Sequence, residues 1–195
     1  MRTYIPKRAN LIPQNAKKVF SGIIFDIYQW QQKLYDGSDA TFEMAKRPDT
    51  VNVLAIRDDN IVIVRDEQPS RGSIISLPAG RHENENELEA AKRELIEETG
   101  LSFHTWKLVQ CVEPIKSTNK IEWLSYLFVA LDFAGETKQN LDAGEKIKVD
   151  YICYEEFLNV CSKPGILNEF YKIVKAAGNI NGVKDLVDLN YVDRS

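Results

Sequence analysis

An α/β fold, with a mixed sheet held between helices and a small antiparallel β unit ahead of it, is what this sequence predicts. Three observations carry the prediction. Runs rich in β-branched and aromatic residues recur along the chain, separated by turn-forming Asp, Gly and Asn. Residues 77–101 switch to helical spacing, with Leu88, Ala91 and Leu95 on one stripe and Gly100 as terminator. Amphipathic segments then close the chain. With 195 residues, of which 44% are apolar and 28% charged, the chain is long enough for a sizeable core and fits one compact domain plus a modest extension.

Taken in order, residues 1–15 carry two prolines and several bases and read as an irregular arm. Residues 18–30 have strand composition, Asp36-Gly37-Ser38-Asp39 supplies a turn, and a second strand follows at 41–46. Residues 51–56 and 61–64 form a firmer hairpin joined through Arg57-Asp58-Asp59-Asn60. Residues 74–77 lead as a strand into the helical segment. Beyond it, 106–112 and 123–133 read as strands around a polar loop at 113–120, whose Lys116 and Lys120 read either as ordinary solvated lysines or as groups facing phosphate. A second polar loop at 137–145 precedes a strand at 146–153 and a helix at 155–160. A last amphipathic helix covers 166–176 and ends at Gly178, with a short helix expected at 183–189.

Composition excludes several function classes. The 29 acids against 25 bases give a formal charge of −4, and no basic block stands out, so no nucleic-acid surface is indicated. No apolar run approaches the ~20 residues of a membrane span, and the first residues lack the apolar stretch of a signal peptide, so a cytoplasmic protein is expected. Cys111, Cys153 and Cys161 show no metal-site or disulfide spacing and read as reduced, mostly buried thiols.

The chemistry concentrates on the central helix. At about 100° per residue, Glu94 and Glu98 lie nearly in line beside the apolar stripe, and Glu97 sits further round toward Arg93. Like charges one turn apart destabilise a helix, and desolvation beside a core adds to the cost. A solvated acidic face is one explanation of the pattern. The other is a divalent cation: oxygen-only ligands suit Mg²⁺ or Mn²⁺, which commonly act on phosphate oxygens. The spacing from Arg93 to Glu97 also permits an ion pair.

Gly80, Glu85, Arg93-Glu94-Leu95-Ile96-Glu97-Glu98 and Gly100-Leu101 resemble the box of the Nudix hydrolases. Four residues separate Gly80 from Glu85 where the family pattern has five. The resemblance implies an α/β/α sandwich over about residues 49–176, in a domain taken here as 49–195. It also implies Glu94, Glu97, Glu98 and the Ala79 carbonyl as metal ligands, with Arg93 as structural partner of the carboxylates. The activity implied is hydrolysis of a nucleoside diphosphate linked to another moiety.

Other segments resemble the ADP-ribose (ADP-sugar) pyrophosphatase branch. There, a β unit like residues 1–48 precedes the fold and typically exchanges across a homodimer. Phe20, Phe25, Tyr28 and Trp30 supply the apolar surface for such packing here. Residues 41–47 resemble that branch's adenine-recognition segment, which implies that Phe42 stacks on the base while Glu43 and Arg47 bond its edge. Glu43, Ala45 and Arg47 share one face of a strand. At Glu67-Gln68-Pro69-Ser70-Arg71, Ser70 stands where the branch has arginine, leaving Arg71 as a substitute if the chain bulges. Gly144-Glu145-Lys146-Ile147 resembles the loop that carries the branch's glutamate, making Glu145 the expected base or a further metal ligand beside Glu97. The expected reaction is ADP-ribose to AMP and ribose 5-phosphate. GDP-mannose, a dinucleoside polyphosphate, or binding without cleavage are the alternatives, and neither His82 nor His104 is required.

Overall fold

In the computed structural model, which describes residues 2–7, 9–68, 71–114, 120–187 and 191–193, the central hairpin sets the frame. Strands β5 (Thr50–Arg57) and β6 (Asn60–Gln68) are joined through Asp58 and Asp59, both at positive φ, as the tight turns of twisted hairpins require. Alternation along β5 divides the core. Val51, Val53 and Ala55 face one layer, while Leu54 and Ile56 face the other.

The first layer is helix α1 (Glu87–Thr99), packed through Ala90, Ala91 and Leu95. The second contains α2 (Tyr154–Cys161), a 3₁₀ turn (Ile166–Phe170), α3 (Tyr171–Ala177) and α4 (Ile180–Lys184), which contribute Phe157, Phe170, Val174 and Val183. Between the layers, β12 (Lys146–Ile152), β6, β5, β11 (Ser125–Glu136) and β9 (Leu101–Val112) lie side by side. Strand β7 (Arg71–Ser76) pairs with β6, and β8 (Ala79–Arg81) with β5. The sheet is mixed because β11 runs parallel to β5 and antiparallel to β9. The α/β sandwich expected from the sequence is therefore present.

A second sheet holds β2 (Lys17–Ser21), β3 (Asp26–Lys33), β4 (Asp39–Lys46) and the two-residue β10 (Ile121–Glu122), which pairs parallel to β4. Residues 18–30 are thus two strands, not one. The Gly22 amide donates to the Phe25 carbonyl at 2.9 Å and the Ser21 hydroxyl to Asp26 Oδ1 at 2.7 Å, closing a turn within otherwise strand-forming residues.

Other boundaries shift for local reasons. Strand β9 starts at Leu101 rather than 106, because Gly100 at φ 75° reverses the chain directly into pairing with the end of β11. The segment at 166–176 opens as a 3₁₀ turn before becoming helical. The tail helix occupies Ile180–Lys184, capped by the Asn179 side chain on the Gly182 amide, whereas Leu189 lies outside the described residues.

The arm is also ordered into the fold. Strand β1 (Tyr4–Pro6) pairs with β13 (Tyr191–Asp193). Arg2 donates to both oxygens of Asp49, at 2.5 and 2.7 Å, and to Glu122 at 2.8 Å. Among the described residues, no helix is long and apolar enough to cross a membrane. Cys111 and Cys161 are buried, Cys153 is exposed, and all three are free thiols.

Candidate active site

Helix α1 begins where the Asn86 side chain accepts the Glu89 amide at 2.9 Å, and its apolar stripe fixes its rotation on the sheet. That rotation aims Glu94 and Glu98 at β8. The Ala79 amide donates to Glu98 Oε2 at 3.0 Å. The Glu94 carboxyl lies directly over Gly80, where a methyl group would come within 1.9 Å of Glu94 Cδ. Glycine is needed here for space, not for an unusual φ.

Arg93 organises the other side. Its Nη1 donates to Glu94 Oε1 and Glu97 Oε2, and its Nη2 to Glu85 Oε1 and the Arg81 carbonyl, each at 2.9 Å. The loop that is one residue short therefore still brings Glu85 against Arg93. The hydrogen bond to Glu85, with Glu94 and Glu97, holds the Arg93 pKa above its ordinary value, and Arg93 in turn holds Glu85 below the usual carboxylate range.

The loop at 137–145 completes the wall. Its Asn140 amide donates to the Glu97 carbonyl at 2.9 Å, and Gln139 Nε2 donates to the Glu98 carbonyl, occupying acceptors that the helix end leaves open. A methyl group at Gly100 would meet the Thr137 carbonyl at 2.1 Å, so glycine permits this approach as well as the turn. Ala79, Gly80, Glu94, Glu97, Glu98 and Glu145 thereby line one cavity of about 210 Å³, together with Asn140 and Asp142. The expected metal and loop residues converge. Gln139 and Asn140, which bind the loop to the helix, carried no recognisable signal in the sequence.

Burial pushes Glu98 up to about 9 against the pull of the Ala79 amide, with Glu94 and Glu145 adding repulsion. Burial likewise raises Glu94, despite Arg93. As the side chains stand, no three His, Cys, Asp or Glu groups converge tightly enough to hold an ion among the described residues. Arg93 draws Glu94 and Glu97 toward itself and Ala79 engages Glu98. The donor set nevertheless fits a hard divalent cation: it is all oxygen, it surrounds a polar cavity, and its most buried carboxylate lacks a cationic partner that would keep it ionised.

A larger cavity, about 900 Å³, adjoins the first; Arg81 and Glu83 line both. Arg47 lines it just beyond β4, its guanidinium stacked 4.2 Å from the centre of the Trp123 ring. Phe42 instead packs beside Trp30, with ring centres 6.1 Å apart, and Glu43 accepts from Gln29 at 2.7 Å. Neither is among the residues lining this cavity. Lys120 Nζ lies 5.6 Å from the Phe42 ring centre. The Arg71 side chain, Lys116, Pro69 and Ser70 lie outside the described residues. His82 Nε2 contacts the Glu85 carbonyl, and His104 is exposed.

Sequence reasoning missed the network beneath this cavity. Besides Arg2, Glu122 accepts the Ile12 amide at 2.6 Å and pairs with Lys46 at 2.8 Å, while Asp49 accepts the Leu124 amide at 2.9 Å and its carbonyl accepts the His82 amide at 2.9 Å. Burial opposes the charge of Glu122, but Lys46, the Ile12 amide and Arg2 outweigh it and hold its pKa below the usual range.

A family profile described as the NUDIX domain matches residues 46–172. An ADP-ribose pyrophosphatase of Bacillus subtilis (strain 168) is 30% identical over 148 residues, covering 74% of this chain and 79% of that protein. A methanol dehydrogenase activator of Bacillus methanolicus is 32% identical over 147 residues, covering 73% and 78%. The crystal structure of an ADP compounds hydrolase superposes with a TM-score of 0.63 at 18% identity, over 88% of this chain and 91% of that one, a likeness of fold.

Proposed function

The chain belongs to the Nudix family of hydrolases, and from that premise we propose that it cleaves the pyrophosphate bond of ADP-ribose, giving AMP and ribose 5-phosphate. The observation that carries the reading is the convergence of Glu94, Glu97, Glu98 and Glu145 on one cavity that opens onto a larger one at Arg81 and Glu83. The ADP-ribose pyrophosphatase similar to this chain supports the choice of substrate.

Glu94, Glu97, Glu98 and the Ala79 carbonyl would hold a divalent cation, Mg²⁺ or Mn²⁺, which when bound would supply charge neutralisation at the pyrophosphate. Glu145 takes the proton of the attacking water, whose oxygen bonds to one phosphorus as the bridging oxygen leaves with the other product. Arg93 orients the carboxylates through Glu94 and Glu97. The larger cavity receives the nucleoside side, with Arg47 on its wall; Phe42 and Glu43 lie on β4 outside that wall and would act on a base that extends beyond it.

We propose further that residues 1–48 form a base-recognition and dimerisation unit. Val19, Phe20, Ile23, Ile24 and Phe25 are exposed around the β2–β3 turn, an apolar patch that a second copy would cover. A dimer is expected in sedimentation at micromolar concentration, and monomer alone would refute it. The free thiols support a reducing, cytoplasmic setting.

The test is an activity screen over ADP-ribose, ADP-glucose, GDP-mannose, NADH and diadenosine polyphosphates, with Mg²⁺ or Mn²⁺ and in excess EDTA. ADP-ribose should turn over fastest, and only with metal. Faster cleavage of a guanine compound, or full turnover after metal stripping, overturns the reading.

A further inference from the structure

The charges around the larger cavity do not cancel evenly. Arg2 is taken by Asp49 and Glu122, Lys46 by Glu122, and Asp26 by Lys18. Arg47 and Arg81 remain, neither in an ion pair among the described residues. The remaining acid on the wall is Glu83, which is exposed.

Both arginines are held by rigid elements. The Arg81 carbonyl accepts from Arg93, and Arg81 is the register partner of Thr50 across β8 and β5. Thr50 Oγ1 accepts the Trp123 indole N–H at 3.2 Å, and Trp123 is the ring on which Arg47 stacks. One strand pair therefore positions both cations. Among the described residues, the buried Arg47 Nε has no hydrogen-bond partner, a state that a bound acceptor would relieve. Burial, and then the charge of Arg81, lower the Arg47 pKa, and the opposing pull of Asp49 is the weakest of the three.

Resting on the pyrophosphatase reading, we propose that Arg47 and Arg81 form an anion subsite that grips one phosphate of the substrate beside the carboxylate cavity, independently of the divalent cation. Guanidinium groups suit this because their planar N–H forks match phosphate oxygens. Arg81, which borders both cavities, marks the side on which that phosphate lies. Under this assignment Arg47 reads charge on the substrate as well as, or in place of, the base edge.

Calorimetric binding of AMP and of adenosine to the full chain in excess EDTA tests the subsite. AMP should bind at least about tenfold more tightly than adenosine, the value of one charge-assisted contact. Arg81→Gln and Arg47→Gln should each weaken AMP by about tenfold, and Arg81→Gln should leave adenosine unchanged. The double variant should lose less than the product of the two if both arginines grip one phosphate. If Arg47→Gln does not fold, Arg81→Gln on its exposed side chain carries the test. Adenosine binding as tightly as AMP, or Arg81→Gln leaving AMP unchanged, overturns the subsite. So does AMP binding that requires Mg²⁺. Metal-dependent hydrolysis of ADP-ribose without AMP binding in EDTA defeats this inference alone. AMP binding without hydrolysis of any screened compound defeats the pyrophosphatase reading alone.

Discussion

The two cavities that meet at Arg81 and Glu83 are built in different ways. The smaller draws most of its groups from a strand and the helix that follows it in sequence, with one loop added from 140–145. The larger gathers its wall from the arm, the β2–β3 turn, the end of β4 and the loop after Gly80. The smaller is rich in carboxylates, while the larger carries Arg47 and Arg81, neither in an ion pair among the described residues. Local periodicity suffices to aim side chains from one helix face. A cavity assembled from distant segments depends instead on how a second sheet docks, and that docking rests on the buried contacts among Arg2, Asp49 and Glu122. Damage to the smaller cavity should therefore appear in the chemical step, and damage to the larger in stability and binding.

The largest expected effect tests the smaller cavity directly. Glu98→Gln keeps size and helix propensity but removes the charge that Glu98 would present to a bound cation, so kcat should fall about a thousandfold, the ~4 kcal/mol of a lost charge contact. KM should move little. A loss below tenfold with unchanged metal affinity would place Glu98 outside the metal shell and erase the contrast.

Arg2→Ala should strike the other region. It leaves Asp49 and Glu122 as buried charges short of a partner, at a cost of about 3 kcal/mol in urea unfolding. A loss under about 1 kcal/mol would show that the arm does not hold the second sheet. The same network sets an acid limit. Because the folded pKa of Glu122 is depressed, its contribution is complete above the ordinary value of 4.5 and is lost as pH falls through the lower folded value. Glu122→Gln should therefore flatten the decline in stability below that pH, as thermal melts across an acid series would record.

Gly80→Ala should lower kcat by about a hundredfold. The added methyl displaces the tip of Glu94 rather than any backbone, so the melting temperature should hardly change. A large fall in stability with normal turnover would mean that Gly80 serves the fold and not the carboxylate above it.

Phe42→Ala is the smallest and sharpest of these changes. If β4 reads the base, stacking worth roughly 1–3 kcal/mol is lost and KM for ADP-ribose rises about five- to a hundredfold, with kcat unchanged. Phe42 packs beside Trp30 and outside the residues lining the larger cavity. An unchanged KM would assign base recognition to the groups on that cavity's wall instead.

The residue order alone determined the α/β class, the position of helix α1, its glycine terminator and the edge shared by Glu94 and Glu98, because helical spacing, capping and strand alternation are properties of a few consecutive residues. The box from Gly80 to Leu101 was legible for the same reason, and Glu145 only through resemblance. The turn at Gly22 stayed hidden because strand-forming residues flank it on both sides. Tertiary structure alone decided that Gln139 and Asn140 bind the loop to the helix, and that the arm buries Arg2 against Asp49 and Glu122. It also separated Arg47 from Phe42 and set it beside Arg81. These pairings join residues far apart in the chain, and a charge or an amide has no spacing pattern that names its partner until packing has removed the water between them.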